Sequence, residues 1–183
     1  QGIATGKMLG AVVEAFDIRA ATRGEVESLG AKFIEIDLGE AGEAEGGYAK
    51  EISDAAKKHE HEVIKDVLAH CDVVVTTAAV PGKKAPLLIT ADMVAAMKSG
   101  SVIVDMAVEQ GGNVAGSQAG KKVTANGVTI IGPINLPSLM AIHTSQLFAR
   151  NVVTLFTHLS PDGQLQLDFT DEITAGAVIT HAG

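Results

Sequence analysis

Apolar positions along the chain fall into short unbroken runs separated by stretches of helical spacing. Ala11 to Phe16 (broken only by Glu14), Lys32 to Ile36, Asp72 to Thr76, Ser101 to Met106 and Val128 to Ile131 read as strands. Gln1 to Leu9 has helical composition, and Gly10 suits the residue just past a helix end. Thr22-Arg23-Gly24-Glu25 has the T-x-x-E form of a capping box, which predicts a short helix to Leu29 with Gly30 beyond it. From Tyr48 to about Ala69, the residues Ile52, Ala55, Ala56, Val63 and Val67 share one helical face. Thr90 opens a helix through Met97 that Gly100 ends. Pro137 suits the first position of a helix, which Met140, Leu147, Phe148, Val152 and Leu155 carry to about His158. After a turn at Ser160-Pro161-Asp162-Gly163, the alternation of Leu165, Leu167 and Phe169 predicts a half-buried strand.

Unbroken apolar strands alternating with helices predict an α/β fold, a doubly wound, Rossmann-like parallel sheet covered on both faces. The pattern divides the chain into a doubly wound domain over 1–136, a linking helix over 137–159 and a tail over 160–183 built to pack against something else. Gln1 to Leu9 carries no signal-peptide pattern and reads as a helix already under way, so an upstream continuation is expected.

Composition narrows the function classes. Hydrophobic residues make up 46% of the 183 positions and aromatics 3%, so the core is aliphatic. Charged residues at 20% and a mean hydropathy of +0.25 argue against disorder. A net charge of −8 without a Lys/Arg cluster argues against nucleic acid and against a membrane-surface helix. No apolar run reaches the length that spans a bilayer, so direct membrane insertion is not expected. The single Cys71 excludes an internal disulfide and reads as a small core residue.

Ligands of a parallel sheet bind beyond the carboxyl ends of its strands. Asp17 ends the first strand, where a carboxylate accepts from the hydroxyls of an adenosine ribose and repels a 2′-phosphate. A plain cap on the next turn fits that position equally. The G-x-G-x-x-G turn expected about 20 residues earlier is not in the chain. Thr76 to Gly82 is a small-residue segment that lets a backbone approach a flat ring, although composition alone favours an ordinary strand-to-helix loop. Asp105 ends another strand and reads as structural, and Gly111-Gly112-Asn113 reads as a turn. Asp37 to Gly47, with four Gly and four acidic residues, reads as a mobile acidic loop. His59 and His61 face different ways on a helix, His70 beside Cys71 lacks zinc spacing, and Ser138 has no nucleophile-elbow frame. A nucleotide-binding fold without a catalytic side chain suits direct hydride transfer, in which the cofactor carries the chemistry.

The residues also resemble a known family. Asp17-Ile18-Arg19-Ala20-Ala21, Glu27-Ser28-Leu29-Gly30-Ala31, Gly46-Gly47-Tyr48-Ala49-Lys50-Glu51, Thr77-Ala78-Ala79-Val80-Pro81-Gly82-Lys83, Ser101-Val102-Ile103-Val104-Asp105, Gly111-Gly112-Asn113 and Asn135-Leu136-Pro137-Ser138 are similar, in order and spacing, to the alpha subunit of proton-translocating nicotinamide nucleotide transhydrogenase. The resemblance covers almost the whole chain, and the Gly-Gly-Tyr-Ala-Lys-Glu segment separates it from alanine dehydrogenase. It implies the NAD(H)-binding lobe of domain I. Asp17, Ile18 and Arg19 would meet the adenosine ribose and adjacent groups. Gly47 and Tyr48 would lie on a loop that closes over the nucleotide, Thr77, Ala78 and Ala79 would line the site, and Glu60 would approach the adenine side. Residues 160–183 would be a fragment of the second lobe. The chain departs from the family pattern at Leu139, where the family has Arg, and at Ala79, where it has Leu. The glycine fingerprint with its strand, and the N-terminal lobe that holds the nicotinamide, would lie upstream of Gln1.

The resemblance implies hydride transfer from NADH to NADP⁺ bound on a partner domain, coupled to proton movement through a transmembrane partner domain. It also implies a homodimer. The location would be the cytoplasmic side of a bacterial inner membrane, or the mitochondrial matrix side, held there by membrane partners. No residue of this chain would act as acid, base or nucleophile. Two other readings stand beside it. One is an alanine dehydrogenase, whose Lys and His would lie in the other lobe. The other is a non-catalytic nucleotide-binding module, for which Asp17 would serve any adenosyl ribose, as in a methyltransferase.

Overall fold

The computed structural model describes residues 1–19, 21–36 and 54–181. They divide into two compact units, Gln1–Gly132 and Pro133–Gly183. The first unit is α/β. It opens with helix α1 (Gly2–Met8), strand β1 (Glu14–Ala15), helix α2 (Thr22–Ser28) and strand β2 (Lys32–Phe33). Both helices end as their glycines predict. Gly10 and Gly30 have φ of +85° and +76°, and the two amides after each helix fold back on its last turn. Strands β1 and β2 pair in parallel with Glu14 opposite Lys32, whose Nζ lies 2.9 Å from the carboxylate.

The expected capping box does not form. The residue before α2 is Ala21, which has no side-chain acceptor, and Thr22 lies inside the helix with its hydroxyl donating to the Arg19 carbonyl at 2.7 Å. Thr22 is one residue past the cap position, where its hydroxyl points back to the Arg19 carbonyl instead of forward to an amide of the first turn.

Helix α3 (Asp54–His70) leads to strand β3 (Val73–Thr76). Of its apolar side, Leu68 is buried and Ile64 packs beside it, while Val63 and Val67 are half-buried. The expected acidic loop, with Gly47 and Tyr48, lies outside the described residues, as do the side chains of Ile52, Ala55 and Ala56. Helix α4 (Ala91–Ala96), strand β4 (Val102–Asp105), a single 3-10 turn at Val108–Gln110, and strands β5 (Lys122–Ala125) and β6 (Val128–Ile131) complete the unit. Asp92 at the start of α4 holds Lys65 at 2.9 Å and His61 at 3.0 Å, which ties α4 to α3.

The four-stranded sheet runs β3-β4-β6-β5, parallel except for β5, which pairs antiparallel with β6. Strand β5 is not among the strands expected from the apolar runs. Asn126 and Gly127 connect it to β6, both at positive φ (50° and 79°), as a tight two-residue hairpin turn requires. Met93, Val94, Ile103, Val128 and Ile130 form the centre of the core with Leu68, Ile89, Met97 and Val114. Among the described residues, strand β3 is covered on one face only, which departs from the expected two-sided cover. In β3, an edge strand, Val74 packs against the core, while Val73 and Val75 are 63% and 56% exposed. A run of Val cannot by itself report which face is covered.

The second unit carries helices α5 (Leu136–Leu139), α6 (Ala141–Leu159) and α7 (Glu172–Ala177). The expected single helix from Pro137 is broken at Met140, whose φ and ψ of −129° and 44° are not helical. Helix α6 has no buried residue. No strand forms at Gln164 to Phe169: Gln166 N–H donates to the Leu159 carbonyl, and no ladder follows among the described residues. Leu165, Leu167 and Phe169 are exposed. Asp171 caps α7 by accepting from Thr174 N–H at 2.7 Å and meets His158 at 2.7 Å, a contact that holds its carboxyl well below the usual range.

Candidate functional site

The chain leaves β1 through Phe16, Asp17 and Ile18 and leaves β2 through Ile34, Glu35 and Ile36. Because β1 and β2 are parallel, both exits lie at the same end, as ligand sites of such sheets require. With Arg23 from α2 and Phe33 they bound a cleft of about 180 Å³. Its walls combine the apolar side chains of Phe16, Ile18, Phe33, Ile34 and Ile36 with the charged groups of Asp17, Arg23 and Glu35. An apolar cleft with a few polar groups at its rim suits a flat ring carrying hydroxyls.

Arg19 turns back on Asp17. Its backbone N–H and Nε donate to Oδ1 at 2.9 and 3.0 Å, and Nη2 donates to Oδ2 at 2.8 Å. The guanidinium holds the Asp17 carboxyl below the usual range. A carboxylate offers about four acceptor positions. Arg19 takes three of them, so one remains, on Oδ2. The expectation that Asp17 receives both ribose hydroxyls is therefore met only if part of the Arg19 contact is given up. Arg23 is likewise engaged, with Glu27 at 2.9 Å and Glu35 at 2.7 Å.

Thr77, Ala78 and Ala79 follow β3 and are not walls of this cleft. They belong to a second, tightly built corner. Strands β3 and β4 pair so that Thr76 sits opposite Asp105, both buried. Asp105 Oδ1 accepts from Thr76 Oγ1 at 3.3 Å, Ala107 N–H at 3.1 Å and Asn113 N–H at 3.2 Å. Its Oδ2 accepts from Asn113 N–H at 3.0 Å and Val114 N–H at 3.3 Å. Asn113, fully buried, passes the connection on: Oδ1 accepts from Ala78 N–H at 3.0 Å, and Nδ2 donates to the carbonyls of Ala78 at 2.9 Å and Pro86 at 2.7 Å. Gly112 (φ +78°) makes this approach possible, since a Cβ there would lie 2.8 Å from Asp105 Oδ2. The structural reading of Asp105 holds. The part played by Asn113 is not expected from the sequence, and the Gly-Gly-Asn turn is its signal.

Glu60 lies on α3, half-buried, and is not a wall of the cleft; burial raises its carboxyl pKa. Gly47 and Tyr48 lie outside the described residues. Among the described residues no group of three or more His, Cys, Asp or Glu is placed to hold a metal ion. Among them, too, no helix is long and apolar enough to cross a membrane.

The family model of the alanine dehydrogenase/PNT, C-terminal domain, matches residues 1–183. An NAD(P) transhydrogenase alpha-subunit polypeptide of Rhodospirillum rubrum is 47% identical over 187 aligned residues, covering 100% of this chain and 49% of that protein. The corresponding polypeptide of Rickettsia prowazekii is 45% identical over 183, covering 100% and 47%. A solved transhydrogenase from Sinorhizobium meliloti superposes with a TM-score of 0.67 at 40% identity, covering 85% of this chain and 39% of that one. A solved L-alanine dehydrogenase gives 0.62 at 26% identity, covering 93% and 43%. The chain thus spans about half the length of the relatives it matches.

Proposed function

The chain belongs to the alanine dehydrogenase/PNT C-terminal domain family, and from that premise we propose that it is the NAD(H)-binding segment of a proton-translocating nicotinamide nucleotide transhydrogenase. The observation that carries this reading is the cleft at the ends of β1 and β2, with Asp17 at its rim, in a chain aligned along its whole length with transhydrogenase alpha subunits. The residues fit an adenosine: apolar side chains bound a slot for a flat base, and Asp17 Oδ2 retains an acceptor position for a ribose hydroxyl.

When bound, the reduced nicotinamide supplies the hydride. The chain binds and orients. Asp17, Ile18 and Arg19 receive the adenosine ribose, and the Asp17 carboxylate disfavours a 2′-phosphate. Thr77, Ala78 and Ala79 line the site, and Glu60 approaches the adenine side. Gly47 and Tyr48 close over the nucleotide. Residues 137–159 link to a second lobe, to which 160–183 contribute. The hydride acceptor is NADP⁺ on a partner domain, and a transmembrane partner domain carries the protons. The assembly is dimeric and sits at the cytoplasmic face of a bacterial inner membrane, or at the mitochondrial matrix face.

The alanine dehydrogenase reading has narrower support. What weakens it is identity: 26% to the solved L-alanine dehydrogenase against 40% to the solved transhydrogenase. The test uses the full-length polypeptide with an NADP-binding domain. Hydride transfer from NADH to an NADP⁺ analogue is expected. Alanine-dependent reduction of NAD⁺ in its place would transfer the chain to the dehydrogenase branch, and binding of S-adenosylmethionine but not NADH would remove the dinucleotide reading.

A further inference from the structure

We infer that Glu35 is a specificity-determining residue of the cleft: together with Glu27 it holds the Arg23 guanidinium, the cation that a 2′-phosphate would need there, and so keeps the site for a dinucleotide without that phosphate. This rests on the NAD(H)-binding reading above.

A nucleotide site at the exits of parallel strands takes a 2′-phosphate on a nearby Arg and disfavours it with a carboxylate at the ribose. The cleft holds both kinds of group. Asp17 is the carboxylate, but Arg19 lies on it at 2.8 Å, so its repulsion of a phosphate is offset in part. Arg23 is the only cation among the described residues that bound the cleft. A guanidinium matches a phosphate in shape and in donors better than any other side chain. By residue type alone, the cleft is equipped to receive the phosphorylated nucleotide as well.

The cation is already engaged. Arg23 lies in the first turn of α2, and its Nε donates to Glu27, one turn on, at 2.9 Å. Its Nη1 donates to Glu35, just past β2, at 2.7 Å. Other guanidinium N–H groups remain as donors, but the positive charge is met by two carboxylates. Asp17, Glu27 and Glu35 against Arg19 and Arg23 leave one net negative charge around the cleft. A 2′-phosphate brings a charge of about −2 and has to draw Arg23 away from partners of its own sign. Glu27 is the ordinary companion of a helical Arg, four residues on. Glu35 comes from a different element and is itself a wall of the cleft. An exposed pair of this kind adds little to stability. What it changes is which anion can use Arg23, and specificity is such a difference.

The test titrates NADPH and NADH calorimetrically into the full-length polypeptide and its variants and reads the ratio of the two affinities. Glu35→Gln keeps the shape of the side chain and removes its charge, and the ratio should move about tenfold toward NADPH. Glu27→Gln/Glu35→Gln, which leaves Arg23 with neither carboxylate, should move it further. Adding Arg23→Gln to Glu35→Gln restores the net charge of the wild type and should return the ratio to the wild-type value, because the gain acts through the released guanidinium. The three side chains are about half exposed or more, so these exchanges leave the core untouched. An unchanged ratio in Glu35→Gln, a gain that survives the loss of Arg23, or wild-type protein that takes NADPH as tightly as NADH would overturn the inference. Wild-type protein that binds neither nucleotide would overturn the nucleotide reading itself, a result visible before any substitution is made.

Discussion

Replacing Asp105 with asparagine keeps the shape of the side chain and converts one acceptor oxygen into a donor. Every group around Asp105 donates. If the new amide nitrogen takes the Oδ2 place, Asn113 N–H keeps Oδ1 at 3.2 Å, but Val114 N–H loses its acceptor. If it takes the Oδ1 place, Asn113 N–H keeps Oδ2 at 3.0 Å, Thr76 can rotate its hydroxyl to accept, and Ala107 N–H loses its acceptor. Each orientation leaves one backbone amide orphaned, at residues only 4% exposed. An orphaned buried donor costs roughly 1–3 kcal/mol, and the surviving bonds weaken because an amide oxygen carries less charge than a carboxylate oxygen. The expected destabilisation is about 2–4 kcal/mol. The chain has no Trp, so urea unfolding is followed by far-ultraviolet circular dichroism. With a slope of about 2 kcal/mol per molar urea, the midpoint should fall by about 1–2 M. Asp72→Asn is the control: its side chain is 87% exposed and meets Lys98 only at 3.4 Å, so it should change stability by less than about 0.5 kcal/mol. An Asp105→Asn variant as stable as that control would refute the assignment of Asp105 as the acceptor that joins β3, β4 and the 107–114 segment.

Two further predictions turn on pH. The Arg19 guanidinium lowers the folded-state pKa of Asp17 below its unfolded value of about 3.9, so the pair stabilises fully above that value and its contribution is lost as the pH falls through the folded pKa. Wild-type protein should exceed Asp17→Asn in urea midpoint at pH 5, with an advantage that shrinks as the pH falls below the unfolded value; an advantage that grows on acidification contradicts the pairing. Burial raises the folded-state pKa of Glu60 above its unfolded value of about 4.3, so its charged form weighs against folding above the folded pKa and has no effect below pH 4. Glu60→Gln should be the more stable protein at pH 7 and equal to wild type at pH 3.5, and lower stability at pH 7 would mean that the carboxylate has a favourable partner.

Legibility in the sequence follows how local the cause is. Val128–Ile131 and the ends of α1 and α2 can be read because an apolar run or a helix followed by Gly carries its own geometry. Strand β5 escapes notice because Lys122–Ala125 has only Val123 and Ala125 as apolar positions, although Asn126-Gly127 marks the hairpin. The alternation at Gln164 to Phe169 misleads, since a strand also needs a neighbour to pair with. Asp17 is legible as the residue after a strand. Its engagement by Arg19 is not, because that depends on how the chain turns. Asn113 is hidden for a longer-range reason: its task exists only once the β3–β4 register has set Thr76 beside Asp105.

The contact between Asp17 and Arg19 has a consequence for how affinity arises at the cleft. A ribose that engages both carboxylate oxygens performs an exchange, in which an incoming hydroxyl takes the place of an N–H already there. The free protein is then a competitor for its own acceptor. Hydrogen bonds counted in the bound state overstate the gain, because a bond taken at Oδ1 replaces one already present within the chain. On the proposed reading, affinity at this position is set by a difference between two similar sets of bonds, and Arg19 enters both sides of it.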